Sequence, residues 1–406
     1  MATHDPLDRV LGSRARTIRT LVILALLTAA APLSVDIYTP SLPQIQDELG
    51  GGAWLAEGSV TTCLLGIAIG QLIWGPLSDR HGRRPIVLIG AIGWTLASAA
   101  SAAAPTAGVL LAVRVAVGLC GAAGIVVARS IVHDISSDDR LTGSRIGMLS
   151  VVTGIAPVVA PTIGAAIAHA FSWRADFTTL AILGALTTLA FALFVPETLA
   201  TRAAGAGRGA SGGAVRALGA ALRDRELLGA ALSIGLFSIG FYAYIATAAF
   251  IVETEYGHPP AVFGAVFATN AAAMLAATLV FRVIVRHSHA SVPLGIGLAV
   301  SGCSGLALVA VAGVGGPQWA VWALSAVFAA GAGFVLPAAH SWGQATAVAS
   351  GAASALTGAF QFFGGVLGSP VTGVIGTTAA HLGAVIAVAC VLAAGAWTLG
   401  RRGRPR

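Results

Sequence analysis

Long apolar runs alternate with short polar breaks along almost the whole chain. A helix needs about 20 apolar residues to cross the hydrocarbon of a bilayer. About twelve runs approach that length, near 18–41, 56–78, 86–104, 107–131, 144–168, 176–195, 228–252, 261–283, 291–312, 318–339, 354–377 and 381–399. The pattern predicts an all-α polytopic membrane protein with twelve transmembrane helices. The longest connection, 196–227, divides it into an N-terminal six-helix half (1–195) and a C-terminal six-helix half (228–406). The first part of that connection, ATRAAGAGRGASGG, has the composition of a flexible linker. In its second part Val215, Leu218 and Leu222 share one helical face, with Arg216, Arg223 and Arg225 elsewhere. This suits either a short in-plane helix on anionic lipid or a solvated linker.

Arginine placement sets the expected orientation, since cytoplasmic loops carry the excess of basic residues. Arg80, Arg83, Arg84, Arg140, Arg145, Arg202, Arg208, Arg216, Arg223, Arg225 and Arg286 fall in or beside even-to-odd loops or the central connection. The N-terminal arginines and the tail from Arg401 join the same side, whereas the opposite face carries only Arg174. Both termini are therefore expected in the cytoplasm. The Ala29–Ala31 stretch could imitate a signal cleavage site, but so many spans follow that cleavage is not expected.

Composition narrows the class. The chain is 56% hydrophobic and 10% charged, with a mean hydropathy of +0.87; soluble domains carry about 25% charged residues. A water-soluble protein is excluded, and the net charge of +7 is no nucleic-acid footprint. All basic residues are arginines, and alanine and glycine abound, a bias that suggests a GC-rich bacterial source. Cys63, Cys120, Cys303 and Cys390 all lie inside apolar runs and read as small buried hydrophobes. The nine histidines lack metal-ligand spacing, the His287/His289 pair included, so neither metal nor cofactor is expected.

Polar residues inside the spans carry the candidate chemistry. Asp36 in APLSVDIYTPSLPQI is a carboxylate within the first span, bracketed by Pro32 and Pro40. An intramembrane acid costs about 2.5–3.5 kcal/mol on insertion scales and marks function more often than not. The prolines predict a helix broken twice, with the Asp36 carbonyl deprived of its bond by Pro40. Asp36 either lines a polar cavity or merely ends the helix at the outer headgroups. Arg114 in the fourth span lies at a similar depth, so the two charges could pair, for coupling or purely as a structural ion pair; Gly118, Gly121 and Gly124 follow it as a smooth contact face. In the fifth span Gly154, Pro157, Pro161 and Gly164 read as a hinge or as ordinary kinked packing. Phe237, Phe241 and Tyr244 offer aromatic surface in the seventh span, with Tyr242 on another face. Tyr38, Asn270 and Gln361 add polar groups that could orient a ligand or simply join helices.

The most specific stretch is GIAIGQLIWGPLSDRHGRRP, residues 66–85. Its spacing G-x8-G-x3-D-R-x-G-R-R puts Asp79, Arg80, Gly82, Arg83 and Arg84 into a tight turn between two apolar runs. Gly82 suits a backbone position with φ > 0, and Pro85 suits the first turn of the next helix. This loop resembles the signature between the second and third helices of the major facilitator superfamily. Together with DIYTPSLPQI (36–45), Arg114 with Gly118, APVVAPTIG (156–164), PETL (196–199), FATNA (267–271) and SGAASALTGAFQ (350–361), the chain resembles the bicyclomycin and chloramphenicol resistance (Bcr/CflA) group of drug:proton antiporters.

That resemblance implies a monomeric, proton-coupled exporter of small amphipathic drugs in a bacterial plasma membrane. Its partners would be drug, protons and lipid, not nucleic acid, and it would not be an enzyme. Asp36 would be the coupling carboxylate with Arg114 as its partner, and Glu253 or Glu255 the next candidates. Gly75, Asp79, Arg80, Gly82, Arg83 and Arg84 would latch the two halves. Asp36, Tyr38, Phe237, Phe241, Tyr244, Asn270 and Gln361 would meet substrate. One departure is Thr28, which stands where some multidrug relatives carry a second acid, against a two-acid scheme. Uptake of a small solute on the same fold is the alternative reading; a sensor is a more distant one.

Overall fold

The computed structural model describes residues 14–51, 53–135, 145, 149, 159–199, 222–285, 287–346 and 350–401. Before residue 200 the helices are α1 (Arg14–Asp36), α2 (Leu42–Leu49), α3 (Ala53–His81), α4 (Arg83–Ala102), α5 (Ala107–Asp134), α6 (Val159–Ala170) and α7 (Trp173–Phe194). After residue 222 come α8 (Arg225–Phe250), α9 (Pro260–Ile284), α10 (Ser291–Gly313), α11 (Gln318–Thr346), α12 (Ser350–Ile375) and α13 (Ala379–Arg401). Eleven membrane-length apolar helices are found among the described residues, and α6 occupies the place of the expected fifth span. Gly154 and Pro157 of that span, and Val215 and Leu218 of the connection, lie outside the described residues.

Helices associate largely within their own half of the chain. α5 packs on α1, α3 and α4, and α7 packs on α4 and α1; beyond the connection α8 packs on α12 and α13, and α10 on α11 and α13. The principal seam between the groups is α3 against α12. Side chains such as Leu96, Leu193, Leu306 and Val391 stay exposed on the rim, as an apolar solvent outside the bundle allows. Inside, small residues set the spacing. A Cβ on Gly118 would stand 1.9 Å from the Cys63 carbonyl oxygen of α3, and one on Gly124 would stand 2.2 Å from that of Leu27 in α1. The smooth face expected on α5 thus serves several neighbours.

The first span departs from expectation. α1 continues through Pro32 without a break and ends at Asp36. A 3₁₀ turn (Thr39–Ser41) and α2 then carry the chain on to Leu49, well past the expected boundary. The Asp36 carbonyl is not orphaned by Pro40, because the Thr39 hydroxyl donates to it at 2.8 Å. This tip is pinned to α7: Ser41 donates to Asp176 at 2.7 Å, Trp173 Nε1 to Glu48 at 2.6 Å, and Arg174 forms an ion pair with Glu48.

Candidate functional site

At the end of α1 Asp36 is 3% exposed, and its carboxylate makes no hydrogen bond or ion pair among the described residues. It lies within electrostatic range of Tyr242 on α8 and Cys63 on α3. Arg114 is fully buried, and the expected pairing with Asp36 is absent. Its Nη2 donates to the Ser34 carbonyl at 2.6 Å and its Nε to that of Ser59 at 3.4 Å. The guanidinium sits 4.4 Å from the Tyr38 ring centre and 5.5 Å from that of Phe177. Two flat rings and two carbonyls therefore hold the cation, a cation–π arrangement strengthened by the lack of water. Depth alone put the charges together; the aromatic residue two positions after Asp36 takes the contact instead. Arg114 fastens the tip of α1. Gly164 on α6 closes the other side, since a Cβ there would stand 1.6 Å from the Ile37 carbonyl oxygen. Pro161 is buried in the first described turn of α6, which runs on unbroken.

Of the expected substrate residues, only some meet. Tyr38 is buried under Arg114 and receives a hydrogen bond from Ser59 at 3.1 Å. Phe237 is fully buried between Phe241 and Phe328. Asn270 donates both to the Tyr244 hydroxyl (2.6 Å) and to Ser325 (2.9 Å), which makes it a helix–helix tie among α8, α9 and α11. Tyr244, Ser325 and Trp322 line a small apolar cavity of about 30 Å³ inside the C-terminal group, away from Asp36. Tyr242, set aside on the seventh span as lying on a different face, is the aromatic at the seam: a Cβ on Gly365 would stand 2.5 Å from its ring and 2.7 Å from Leu64 of α3. Gln361 of α12 bonds His340 of α11 at 2.9 Å. His340 was not singled out from sequence, where a lone histidine in LPAAHSWG was the only signal.

The 66–85 stretch forms a compact network. Gly82 has φ 100°, which no L side chain adopts readily, and Pro85 falls in the first turn of α4. Arg83 bridges Asp79 at 2.5 Å and Asp134 of α5 at 2.9 Å, and its Nη1 donates to Ser78 at 2.7 Å. Glu197, after α7, accepts from the backbone N–H groups of Arg83 and Arg84 at the start of α4 and from its own Thr198 and Leu199. Burial would raise the Glu197 carboxyl, but these four donors outweigh it and hold it below the usual carboxylate range. Arg84 reaches the Ala192 carbonyl at 2.7 Å. Arg80 is exposed, and Gly75 has Val126 at ordinary contact distance. Every contact named here stays within the N-terminal group, so the latch between halves is not made by these bonds. Asp134 and Glu197 were absent from the expected set, although PETL contained the latter.

Across the seam Thr61 hydrogen-bonds Ser369, and Gln71 lies against Gly358. On the second group, Glu255 caps α13 by accepting from Ala379 N at 2.9 Å, which gives it a structural task.

Comparison with known proteins follows the same outline. The profile described as Major Facilitator Superfamily matches residues 24–369. The MFS-type transporter YdgK of Bacillus subtilis is 32% identical over 373 residues, covering 91% of this chain and 92% of that one. A bicyclomycin resistance protein homolog of Haemophilus influenzae is 28% identical, covering 89% and 91%. A chloramphenicol resistance protein of Pseudomonas aeruginosa is 31% identical, covering 86% and 78%. Among solved structures, the xylose transporter XylE of E. coli, in a partially occluded inward-open conformation, superposes with a TM-score of 0.77 over 96% of this chain and 98% of that one. At 13% identity that likeness speaks for the fold alone.

Proposed function

We propose, from the premise that this chain belongs to the major facilitator superfamily, that it exports small amphipathic drugs in exchange for protons. Its similarity to the two resistance proteins supports the drug class. The observation that carries the proton is Asp36, a buried acid at the end of α1 with no hydrogen bond or ion pair among the described residues, where an intramembrane carboxylate needs a functional reason. A carboxyl that alternates between a dry and a wetted setting exchanges its proton with whichever side wets it. The halves 1–195 and 228–406 would rock about this level, joined by 196–227. One proton entering down 100 mV releases about 2.3 kcal/mol, and a tenfold gradient takes about 1.4 kcal/mol. One carboxyl thus sustains roughly a 50-fold gradient of a neutral drug, enough for useful efflux. The membrane would be the bacterial inner membrane, with both termini in the cytoplasm.

Arg114 acts in this reading by holding the α1 tip in register rather than by pairing with the acid. The test is a susceptibility panel in a pump-deficient host, with proton release on drug addition measured for the purified protein. Asp36→Asn should lose both resistance and proton release. Proton release at the wild-type level from Asp36→Asn would move the coupling site elsewhere, with Glu253 next.

A further inference from the structure

Gln71 of α3 is a polar side chain that the Asp36 reading leaves without a task. α3 and α12 run antiparallel along the seam, and three contacts fix their register: Thr61 with Ser369, Leu64 with Gly365 and Gln71 with Gly358. Positions 61, 64 and 71 fall on one stripe of α3, as 358, 365 and 369 do on α12. Gln71 stands about 10 Å along that stripe from Leu64, at 1.5 Å per residue. A Cβ on Gly358 would stand 2.9 Å from its Oε1, 3.2 Å from its Cδ and 3.4 Å from its Nε2. The whole carboxamide thus lies across bare backbone of the other group.

Gln71 is 2% exposed and makes no hydrogen bond among the described residues. Its polar neighbours on α3 are engaged: Thr62 donates to the Gly58 carbonyl at 2.8 Å, Trp74 Nε1 to that of Leu119 at 2.6 Å and Ser78 to that of Gly75 at 2.9 Å. On the facing helix Thr357 bonds Ala353 and His340, and Gln361 bonds His340. A buried amide without a partner is uncommon, and lipid around the bundle supplies none. The group is neutral, with one donating and one accepting end. No charged side chain bonds it among the described residues, so an ionic function placed beside it would go uncompensated. The chemistry that fits is a neutral group that both donates and accepts, an amide or a hydroxyl.

We propose that Gln71 is a specificity-determining residue, which meets an amide or hydroxyl of a neutral drug at the α3–α12 seam. Gly358 takes part by having no side chain: once the helices part there, the amide faces an open notch. Gln71 selects the drug, and Asp36 keeps the proton. This rests on the reading of the protein as a drug exporter. A site built to hydrogen-bond a polar group rejects the analogue that lacks it, because its own amide is then left unpaired.

The test is calorimetric binding to the purified full chain in detergent. The probes are chloramphenicol, a neutral antibiotic with an amide N–H and a pair of hydroxyls, and analogues in which each of those hydrogens in turn is replaced by methyl. At least one analogue should bind the wild type about tenfold more weakly than chloramphenicol, the effect of one lost hydrogen bond. In Gln71→Met and Gln71→Leu, apolar replacements of similar size, that gap should close to about twofold or less. A packing role alone would weaken every compound alike and leave the gap in place. No gap in the wild type, the same gap in both variants, or no binding of any of these compounds overturns the proposal. A wild type that confers no resistance to any drug of the susceptibility panel would instead overturn the exporter reading.

Discussion

At Arg114 chemistry depends on a shape as much as on a charge. The guanidinium stacks on Tyr38 and reaches the Ser34 carbonyl, which an ammonium on a flexible stem cannot reproduce. Arg114→Lys should therefore lose resistance nearly as completely as Arg114→Ala, with the protein still detected in the membrane for at least the lysine variant; the drug panel with immunoblotting checks this. Glu197 gives a second case. Its carboxyl lies below the ordinary range in the folded protein, so the stability it adds is present above the unfolded carboxylate pKa of about 4.3. That contribution is lost as pH falls through the lower folded value. Replacing the cap with Glu197→Ala should cost about 0.5–2 kcal/mol at pH 7, seen as a lower unfolding temperature in detergent. The difference from wild type should shrink toward pH 3.

Helices in this protein approach as closely as their glycines allow. Gly118→Ala would force a Cβ into the Cys63 carbonyl at 1.9 Å, and overpacking of that kind costs about 1–3 kcal/mol. Gly264 and Gly395 meet nothing within 4 Å, so alanine there should be tolerated. Thermal unfolding of the three variants in one detergent separates the two outcomes; equal midpoints would mean that α3 and α5 can part without cost. The α1 tip shows how such packing serves a site: Gly164 presses on Ile37 from one side and Arg114 grips Ser34 from the other. Asp36 is thereby held between two fixed points.

Motion between the groups would have to pass through the α3–α12 seam. Thr61 and Ser369 meet there, so cysteines at both positions, in a background without the four native cysteines, should form a disulfide on oxidation. Efflux should stop and return on reduction. Unimpaired efflux by the cross-linked protein would show that this seam stays closed through the cycle. A reporter fused after Arg406 should lie in the cytoplasm and one inserted near Gly257 outside; a periplasmic C-terminus would break the even span count.

Much of this architecture was already written in local pattern. Span length, the turn at Gly82 and the intramembrane acid each depend on neighbours in sequence and on the cost of polar groups in lipid, so they can be read without coordinates. The family likeness was legible for the same reason, because its signature loop is contiguous. Tertiary structure decided which groups meet. Equal depth suggested an Asp36–Arg114 pair, but depth says nothing of azimuth, and Arg114 stacks on Tyr38 instead. Asn270 bonded Tyr244 inside one group, while Tyr242 turned to the seam. Glu197 found the start of α4 from 113 residues away or more, and His340 found Gln361 across a helix pair. Hydrogen bonds between distant segments leave no periodicity in the chain; they exist only once close-packed helices fix the side chains' directions.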